Sequence, residues 1–175
     1  MNTLSKILTV VAAGMISAQA MAASQGTVGS SSTGTSDVSI TVNDLVRITS
    51  VADISLTYSG GGPLVGSTQY CVFRNGGDQY KVTLTTDQGA FEVTSGTTSD
   101  TIPFTVNVDD DIIAGGGETL SYNTASSVAL LGSASANCGG ADNGEVEVNF
   151  AEADLQAVTS ASDYNATMTI LVEPI

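Results

Sequence analysis

Residues 162–174 read SDYNATMTILVEP, and the alternation within this stretch decides the fold class of the chain. Every second residue is apolar, and the positions that share one side of an extended strand are Ala166, Met168, Ile170 and Val172. Threonines occupy most of the positions between them. This period of two predicts a half-buried β-strand, which we place at residues 165–172.

Runs with the same texture recur along the chain, usually with Gly, Asn, Asp or Pro between them. We predict strands at residues 36–43, 45–50, 53–58, 68–74, 79–86, 89–95, 101–108, 126–131, 145–150 and 165–172. Residues 151–156 predict no more than a short helical turn. Many short strands separated by turn residues indicate an all-β sandwich or barrel.

Two local features refine this prediction. The sequence Asn75-Gly76-Gly77-Asp78 contains residues that accept positive φ, so it predicts a hairpin between its flanking strands. In the strand at residues 145–150 the apolar residues alternate with Glu145 and Glu147, which we therefore place on the water-facing side.

The N-terminus has the features of a secretory signal. Lys6 supplies a positive charge, residues 7–16 are largely apolar, and Ala20-Met21-Ala22 has the small-x-small pattern of a cleavage site. We predict a signal peptide at residues 1–22, cut between Ala22 and Ala23. Its apolar run is shorter than the roughly 20 residues that a membrane-spanning helix needs, so we expect an exported protein without a membrane anchor.

The composition excludes several functions. The chain has 18 acidic and 4 basic residues, no His and a formal net charge of −14. Without His, both the commonest general base and the commonest zinc ligand are missing. Four basic residues cannot neutralise a phosphate backbone, so nucleic acid is a poor candidate partner. We expect no enzymatic activity, no catalytic residue, no metal and no cofactor, and we interpret Asp109-Asp110-Asp111 as a solvated loop rather than a calcium site.

Cys71 and Cys138 are the two cysteines of the chain. Export takes them to a compartment in which disulfides persist, so we predict a structural bridge between them. Closing a loop of this length stabilises the fold by roughly 4 kcal/mol in the chain-entropy model.

The residues that follow the signal form a candidate extension. Residues 24–35 are a Gly- and Ser-rich lead-in with one large apolar residue, Val28, whereas residues 36–43 alternate strictly with Val38, Ile40 and Val42 on one face. This alternating segment has two interpretations. It is either the first strand of its own sandwich or a strand donated to a neighbouring molecule.

Four features in this order resemble the pilin and spore-coat protein U superfamily of chaperone–usher systems. They are an alternating segment behind a flexible leader, a strand and turn at residues 71–77 followed by residues 80–84, a second cysteine in a Gly-rich loop, and a C-terminal acidic turn, tyrosine corner and alternating strand. The wide cysteine spacing is similar to the archaic branch. The sequence has Ser162-Asp163 at the corner where Gly-Thr is usual in the family.

The resemblance implies a specific architecture and function. The fold would be an immunoglobulin-like β-sandwich that lacks its last strand, with a signal at residues 1–22, an extension at 23–43 and a sandwich domain at 44–175. The implied donor residues are Val28, Val38, Ile40 and Val42. The strand that faces a periplasmic chaperone before assembly would contain Tyr164, Ala166, Met168, Ile170 and Val172.

The implied role is that of a structural subunit. Such a subunit would pass through the periplasm and an outer-membrane usher and polymerise into a surface fimbrium involved in adhesion or biofilm formation. The alternative is a self-contained secreted β-sandwich that binds carbohydrate or forms part of a surface coat.

Overall fold

The computed structural model describes residues 23–77, 79–110 and 117–175. They fall into two compact units that divide between Val42 and Asn43. The predicted signal peptide with Ala22, the turn residue Asp78 and the third carboxylate of the acidic run, Asp111, lie outside the described residues.

The described residues of the N-terminal unit, 23–42, contain no long strand. Ser24 and Thr35 exchange two backbone hydrogen bonds of 3.0 Å, and the Gly- and Ser-rich residues between them form a loop. The strand predicted at residues 36–43 is not formed, and Val38, Ile40 and Val42 are 95%, 87% and 69% exposed. Alternation alone does not produce a strand where no neighbouring strand bonds its backbone.

The C-terminal unit, Asn43–Ile175, contains nearly all of the regular structure that the model describes. Its strands are β1 (Val46–Thr49), β2 (Leu64–Arg74), β3 (Gln79–Thr86), β4 (Glu92–Ser95), β5 (Thr101–Pro103), β6 (Thr105–Asp109), β7 (Glu118–Thr119), β8 (Leu130–Leu131), β9 (Gly144–Phe150), β10 (Tyr164–Asn165) and β11 (Met168–Pro174). Among the described residues one α-helix, α1 (Glu152–Ala157), follows β9, and a short 3-10 turn spans Cys138–Gly140 before it.

The strands form two packed layers. One layer is the sheet β1-β2-β9-β6-β7, and the other is made of the sheets β11-β3-β8 and β10-β4-β5. All pairings between these strands are antiparallel. The inward residues of both layers form one core, whose completely buried members are Tyr70, Val72, Tyr80, Val82, Leu84, Val106 and Val146. The predicted all-β class is confirmed.

Besides the strand predicted at residues 36–43, four predicted strands differ from those observed, and one of them, at residues 126–131, is reduced to β8. Residues 53–58 form no strand, and the run at residues 101–108 is divided at Phe104 into β5 and β6, which belong to different layers. The predicted terminal strand is likewise divided, into β10 and β11. In both divided runs the alternation continues across the break, so the sequence pattern does not show where the chain changes sheets.

The turn at Asn75-Gly76-Gly77 does not form the predicted hairpin. It joins β2 to β3, which lie in different layers. Both edges of β2 are occupied, because β9 pairs with its first part and β1 with its last four residues. The positive φ values of Gly76 and Gly77 therefore serve a connection between layers.

The alternation of Glu145 with apolar residues predicts a water-facing position for this side chain. The structure shows that this prediction is wrong. Only 8% of the Glu145 surface is exposed. It lies in the middle of the five-stranded sheet, opposite Gln69 of β2 and Asp109 of β6, and these neighbours exclude water from both sides. Glu147, two residues later, keeps an intermediate exposure.

The last residues of β2 pair with β1 on one edge. On the other edge they contact a loop instead of a strand. The predicted disulfide between Cys71 and Cys138 is present, with a Cα–Cα distance of 5.9 Å, and attaches this loop to β2. The Asn143 Oδ1 accepts from the buried Val72 N–H at 2.7 Å, and its Nδ2 donates to the carbonyls of Val72 and Leu131, both at 3.1 Å. The Ser133 backbone also accepts from the Arg74 N–H and donates to the Val72 carbonyl, both at 2.9 Å, so this residue and the Asn143 amide together take the place of a neighbouring strand.

We predict that Asn143→Ala lowers the free energy of unfolding by about 2–4 kcal/mol, because three hydrogen bonds are lost and the buried Val72 N–H is left without its acceptor. Urea denaturation followed by circular dichroism measures this effect. Asn137→Ala is the matched control, since Asn137 is exposed in the same loop and its Oδ1 accepts from Ser135. Equal effects from the two variants would contradict the role assigned to Asn143.

Candidate functional site: an open groove beside the final strand

The final strand lies at the edge of its sheet. β11 pairs with β3 along its whole length, from Met168 opposite Thr86 to Pro174 opposite Tyr80. Within the described residues its other side has no strand partner. β1 is the edge strand of the opposite layer and lies near β11. The outer edge of β11 therefore has no paired strand, and the sandwich is open there beyond the residues that β1 contacts.

A cavity of about 750 Å³ occupies the part of the sandwich next to this opening. Its volume falls in the range of roughly 300–1,000 Å³ that is usual for ligand-binding clefts. The core side chains at its base come from both layers. They are Val93, Ile102, Phe104, Val148 and Phe150. The Phe104 and Phe150 rings pack with their centroids 5.1 Å apart.

The inward side chains of β11 are less buried than those of the neighbouring strand β3. In the paired strand β3 the inward residues Tyr80, Val82 and Leu84 are completely buried. The inward residues of β11, Met168 and Ile170, pack against the same core and yet remain only half-buried. Both strands belong to one sheet, so the difference arises because β11 has no neighbour on its outer edge. A further strand at this edge would bury these side chains.

An irregular segment, residues 51–57, forms another wall of the cavity. Ser50 adopts a positive φ of 67°, which ends β1 and turns the chain. The Ala52 N–H then donates to Thr68 Oγ1 at 3.0 Å. Ile54 and Leu56 lie against Gly66 of β2, where an added Cβ would come within 2.8 Å and 2.6 Å of them. Gly66 thus provides the space in which this segment approaches the inner face of β2.

Tyr164 fixes the chain just before β11. Its hydroxyl donates to the Thr159 carbonyl at 2.8 Å, five residues upstream, which is the arrangement of a tyrosine corner in immunoglobulin-like sandwiches. The neighbouring Asp163 carboxylate accepts from Ser95 Oγ at 2.7 Å and from the N–H and Oγ1 of Thr97 at 2.9 and 2.7 Å. These bonds attach the start of the last strand pair to β4.

The predicted contact strand is divided between two places. Tyr164 lies in β10, Ala166 lies in the connection that follows, and Met168, Ile170 and Val172 lie in β11. Of these five residues, all but Val172 line the cavity. The predicted donor residues Val28, Val38, Ile40 and Val42 belong to the N-terminal unit, where they are exposed.

Several groove residues were not identified from the sequence. Leu64, the first residue of β2, was not assigned to a strand, and residues 51–57 were interpreted in part as a strand of the sheet. Phe104 was placed inside a continuous strand, although it lies where the chain changes layers. Its ring stacks on Phe91 at 5.8 Å, a contact that local alternation does not contain.

The groove supports apolar contact and backbone pairing rather than acid–base chemistry. Asp53 and Tyr164 are the titratable residues among those that line the cavity. In the described part of the chain, no group of three or more His, Cys, Asp or Glu side chains has an arrangement suited to a metal ion. Asp110 directs one carboxylate oxygen to the Leu131 N–H at 2.9 Å.

None of the described helices has the length and apolarity that a membrane crossing requires.

Comparison with known proteins adds only weak structural likeness. No protein-family model and no curated protein matches the chain. One solved structure, of a chaperone–tip adhesin complex described as vital for synergistic activation of CFA/I fimbriae biogenesis, has a chain that matches with 16% identity and a TM-score of 0.46. The match covers 74% of this chain and only 41% of that chain. Likeness at this level assigns neither family nor function.

Acid should weaken the attachment of the terminal strand pair. The hydrogen bonds from Ser95 and Thr97 hold the pKa of the Asp163 carboxyl below its usual range. A carboxyl with a depressed folded-state pKa contributes stability that is complete above its unfolded value of about 3.9 and is lost as the pH falls through the folded value. We therefore predict that Asp163→Asn destabilises the protein at neutral pH and that this difference shrinks as the pH falls below about 3.9.

Urea midpoints measured across this pH range test the prediction. Asp37→Asn is the matched control, because it removes the same charge from the exposed extension. A destabilisation by Asp163→Asn that stays constant from neutral pH to about pH 2–3 would show that the carboxylate charge at this position contributes nothing.

Proposed function

We propose that this protein is a structural subunit of a surface polymer, joined to its neighbours by strand donation. The observation that carries the proposal is the unpaired edge of β11, whose half-buried Met168 and Ile170 border the open apolar cavity. An edge of this kind is a template for an added strand. The occupant that we propose is the segment at residues 36–43 of a second copy.

The segment and the groove match in pattern. Val38, Ile40 and Val42 alternate along the segment, so that in an extended conformation all three side chains point the same way. β11 is 7 residues long, about 23 Å at roughly 3.3 Å per residue. Residues 36–42 match this length. The three apolar side chains are also exposed in the chain by itself, so their burial is available as a driving force.

The free energies of burial, association and hydrogen bonding indicate what a stable contact between two subunits requires. Burying three aliphatic side chains contributes on the order of 5–9 kcal/mol. Association costs at least about 4 kcal/mol in lost translational and rotational freedom. Each backbone hydrogen bond along β11 adds about 0.5–1.5 kcal/mol net. Apolar burial and ladder formation must therefore act together for the joint to persist.

Charge opposes the association. Removal of the predicted signal also removes Lys6, which leaves Arg47, Arg74 and Lys81 as the basic residues beside 18 acidic ones. Arg74 is buried, and its guanidinium lies 3.4 Å from the Asp44 carboxylate, so it is of little use for attracting a second subunit. Specific apolar contacts must overcome this repulsion, which salt screens over a Debye length of about 8 Å at physiological ionic strength.

The proposed pathway follows from the same open edge. A subunit whose groove is uncovered is prone to aggregate, so it needs a partner before assembly. A periplasmic chaperone that covers β11 would meet this need, and an usher would then exchange the chaperone for the next subunit. The polymer would lie on the cell surface as a fimbrium with a role in adhesion or biofilm formation. Under this proposal the protein has no enzymatic activity.

We predict that Ile40→Asp reduces polymer formation by at least about a hundredfold, because a carboxylate would enter the apolar groove. Thr41→Asp is the matched control, since it adds the same charge to the opposite face of the segment and should retain most of the assembly. Ladders that resist detergent at room temperature and collapse on boiling measure the polymer on a gel. Equal assembly by the two variants would exclude this segment as the donor.

A further inference from the structure

Gly66 leaves a gap in the row of side chains that β2 directs toward the core. The inward residues on either side of it, Leu64 and Thr68, both line the cavity. Gly66 does not have a positive φ, so its backbone conformation does not require glycine. A glycine inside a strand is entropically unfavourable and often marks a place where another part of the chain approaches closely. The space beside its Cα therefore accounts for glycine at this position.

Ile54 and Leu56 occupy that space. A Cβ added at Gly66 would lie 2.6 Å and 3.0 Å from the two methyl carbons of Leu56 and 2.8 Å from Ile54 Cγ2. Carbon atoms in contact are roughly 3.5–4.0 Å apart, so a single methyl group at position 66 would displace both side chains. Both residues also line the cavity. They form a wall of the groove whose position depends on the size of residue 66.

The displacement would be directed into the cavity. Gly66 pairs with Val148 of β9 inside the five-stranded sheet, so β2 cannot easily retreat. Residues 51–57 belong to no strand, and in the described part of the chain the bond from the Ala52 N–H to Thr68 is their only hydrogen bond. This segment is therefore the part that yields, and the cavity is the open space beside it. A larger residue at position 66 would narrow the groove.

We propose that Gly66 sets the width of the groove and thereby the size of the donated side chains that the groove accepts. Gly66 acts through Ile54 and Leu56, so it is a positioning residue. At its present width the groove takes the aliphatic side chains of the segment at residues 36–43 of a second copy. This inference rests on the proposed function and adds the residue that determines which side chains fit.

The test compares the affinities of full-length mature variants for four fluorescent peptides. One peptide has the sequence of residues 36–43, and each of the other three carries one alanine substitution, Val38→Ala, Ile40→Ala or Val42→Ala. Fluorescence anisotropy at equilibrium gives the affinities in dilute protein. Wild-type protein should bind the unmodified peptide most tightly.

Gly66→Ala should bind the unmodified peptide at least about tenfold more weakly than wild-type protein does, because the groove becomes overpacked. It should also bind one of the shortened peptides more tightly than the unmodified one, since a smaller side chain offsets the narrower groove. Gly96→Ala is the matched control. It adds the same methyl group in an exposed loop, where Asp163 Oδ2 lies 3.5 Å away, and it should bind all four peptides as wild type does.

A second pair of variants separates narrowing from misfolding. Leu56→Ala removes two of the three atoms closest to the added Cβ. Adding Gly66→Ala to Leu56→Ala should therefore change the affinity for the unmodified peptide by a smaller factor than adding it to the wild-type protein. Equal factors in the two backgrounds would overturn the inference, because Leu56 would then not transmit the effect.

Failure of the inference and failure of the proposed function give different results. If Gly66→Ala binds the unmodified peptide as wild type does, or loses affinity for all four peptides by the same factor, Gly66 does not select side-chain size, and strand donation stands. If wild-type protein binds none of the four peptides, the groove does not accept this strand. The proposed function then fails, and the inference fails with it.

Discussion

The unpaired edge of β11 is the constraint on which the rest of the structure depends. Its inward side chains belong to the core, but in the described part of the chain no strand pairs with its outer edge, so the core remains open at Met168 and Ile170. A sheet edge that exposes both backbone groups and apolar side chains is a hazard for a soluble protein. The same edge provides binding energy if one defined strand is supplied. The features around it limit which strand can fit.

Those features stabilise the sandwich without closing this open edge. Asn143 and the disulfide complete the second half of β2 on the edge opposite β1, and Tyr164 with Asp163 fixes the chain before β11. Each of these contacts fixes either a strand that borders the groove or a strand that packs against such a strand. None of them supplies the missing neighbour of β11, so the sandwich is well anchored and still incomplete along one edge.

Much of the fold was predictable from local patterns. The period of two identified β3 and most of β9, and cysteine count with predicted export identified the disulfide. The errors have a common cause. Glu145 is buried because strands flank it on both sides, residues 101–108 are divided between two layers, and the turn at Asn75 connects layers rather than neighbouring strands. Alternation records which residues are apolar, but it does not identify which strand lies alongside.

The sequence by itself determined the all-β class, the disulfide partners and the presence of an alternating apolar segment at residues 36–43. These depend on residue type and spacing, which a single chain displays directly. Only the tertiary structure decided that β11 has a free edge, that Phe104 and Phe150 lie at the base of a cavity beside it, and that Ile54 and Leu56 pack against Gly66. Each of these depends on contacts between residues far apart in the chain, and short-range periodicity contains no information about such contacts.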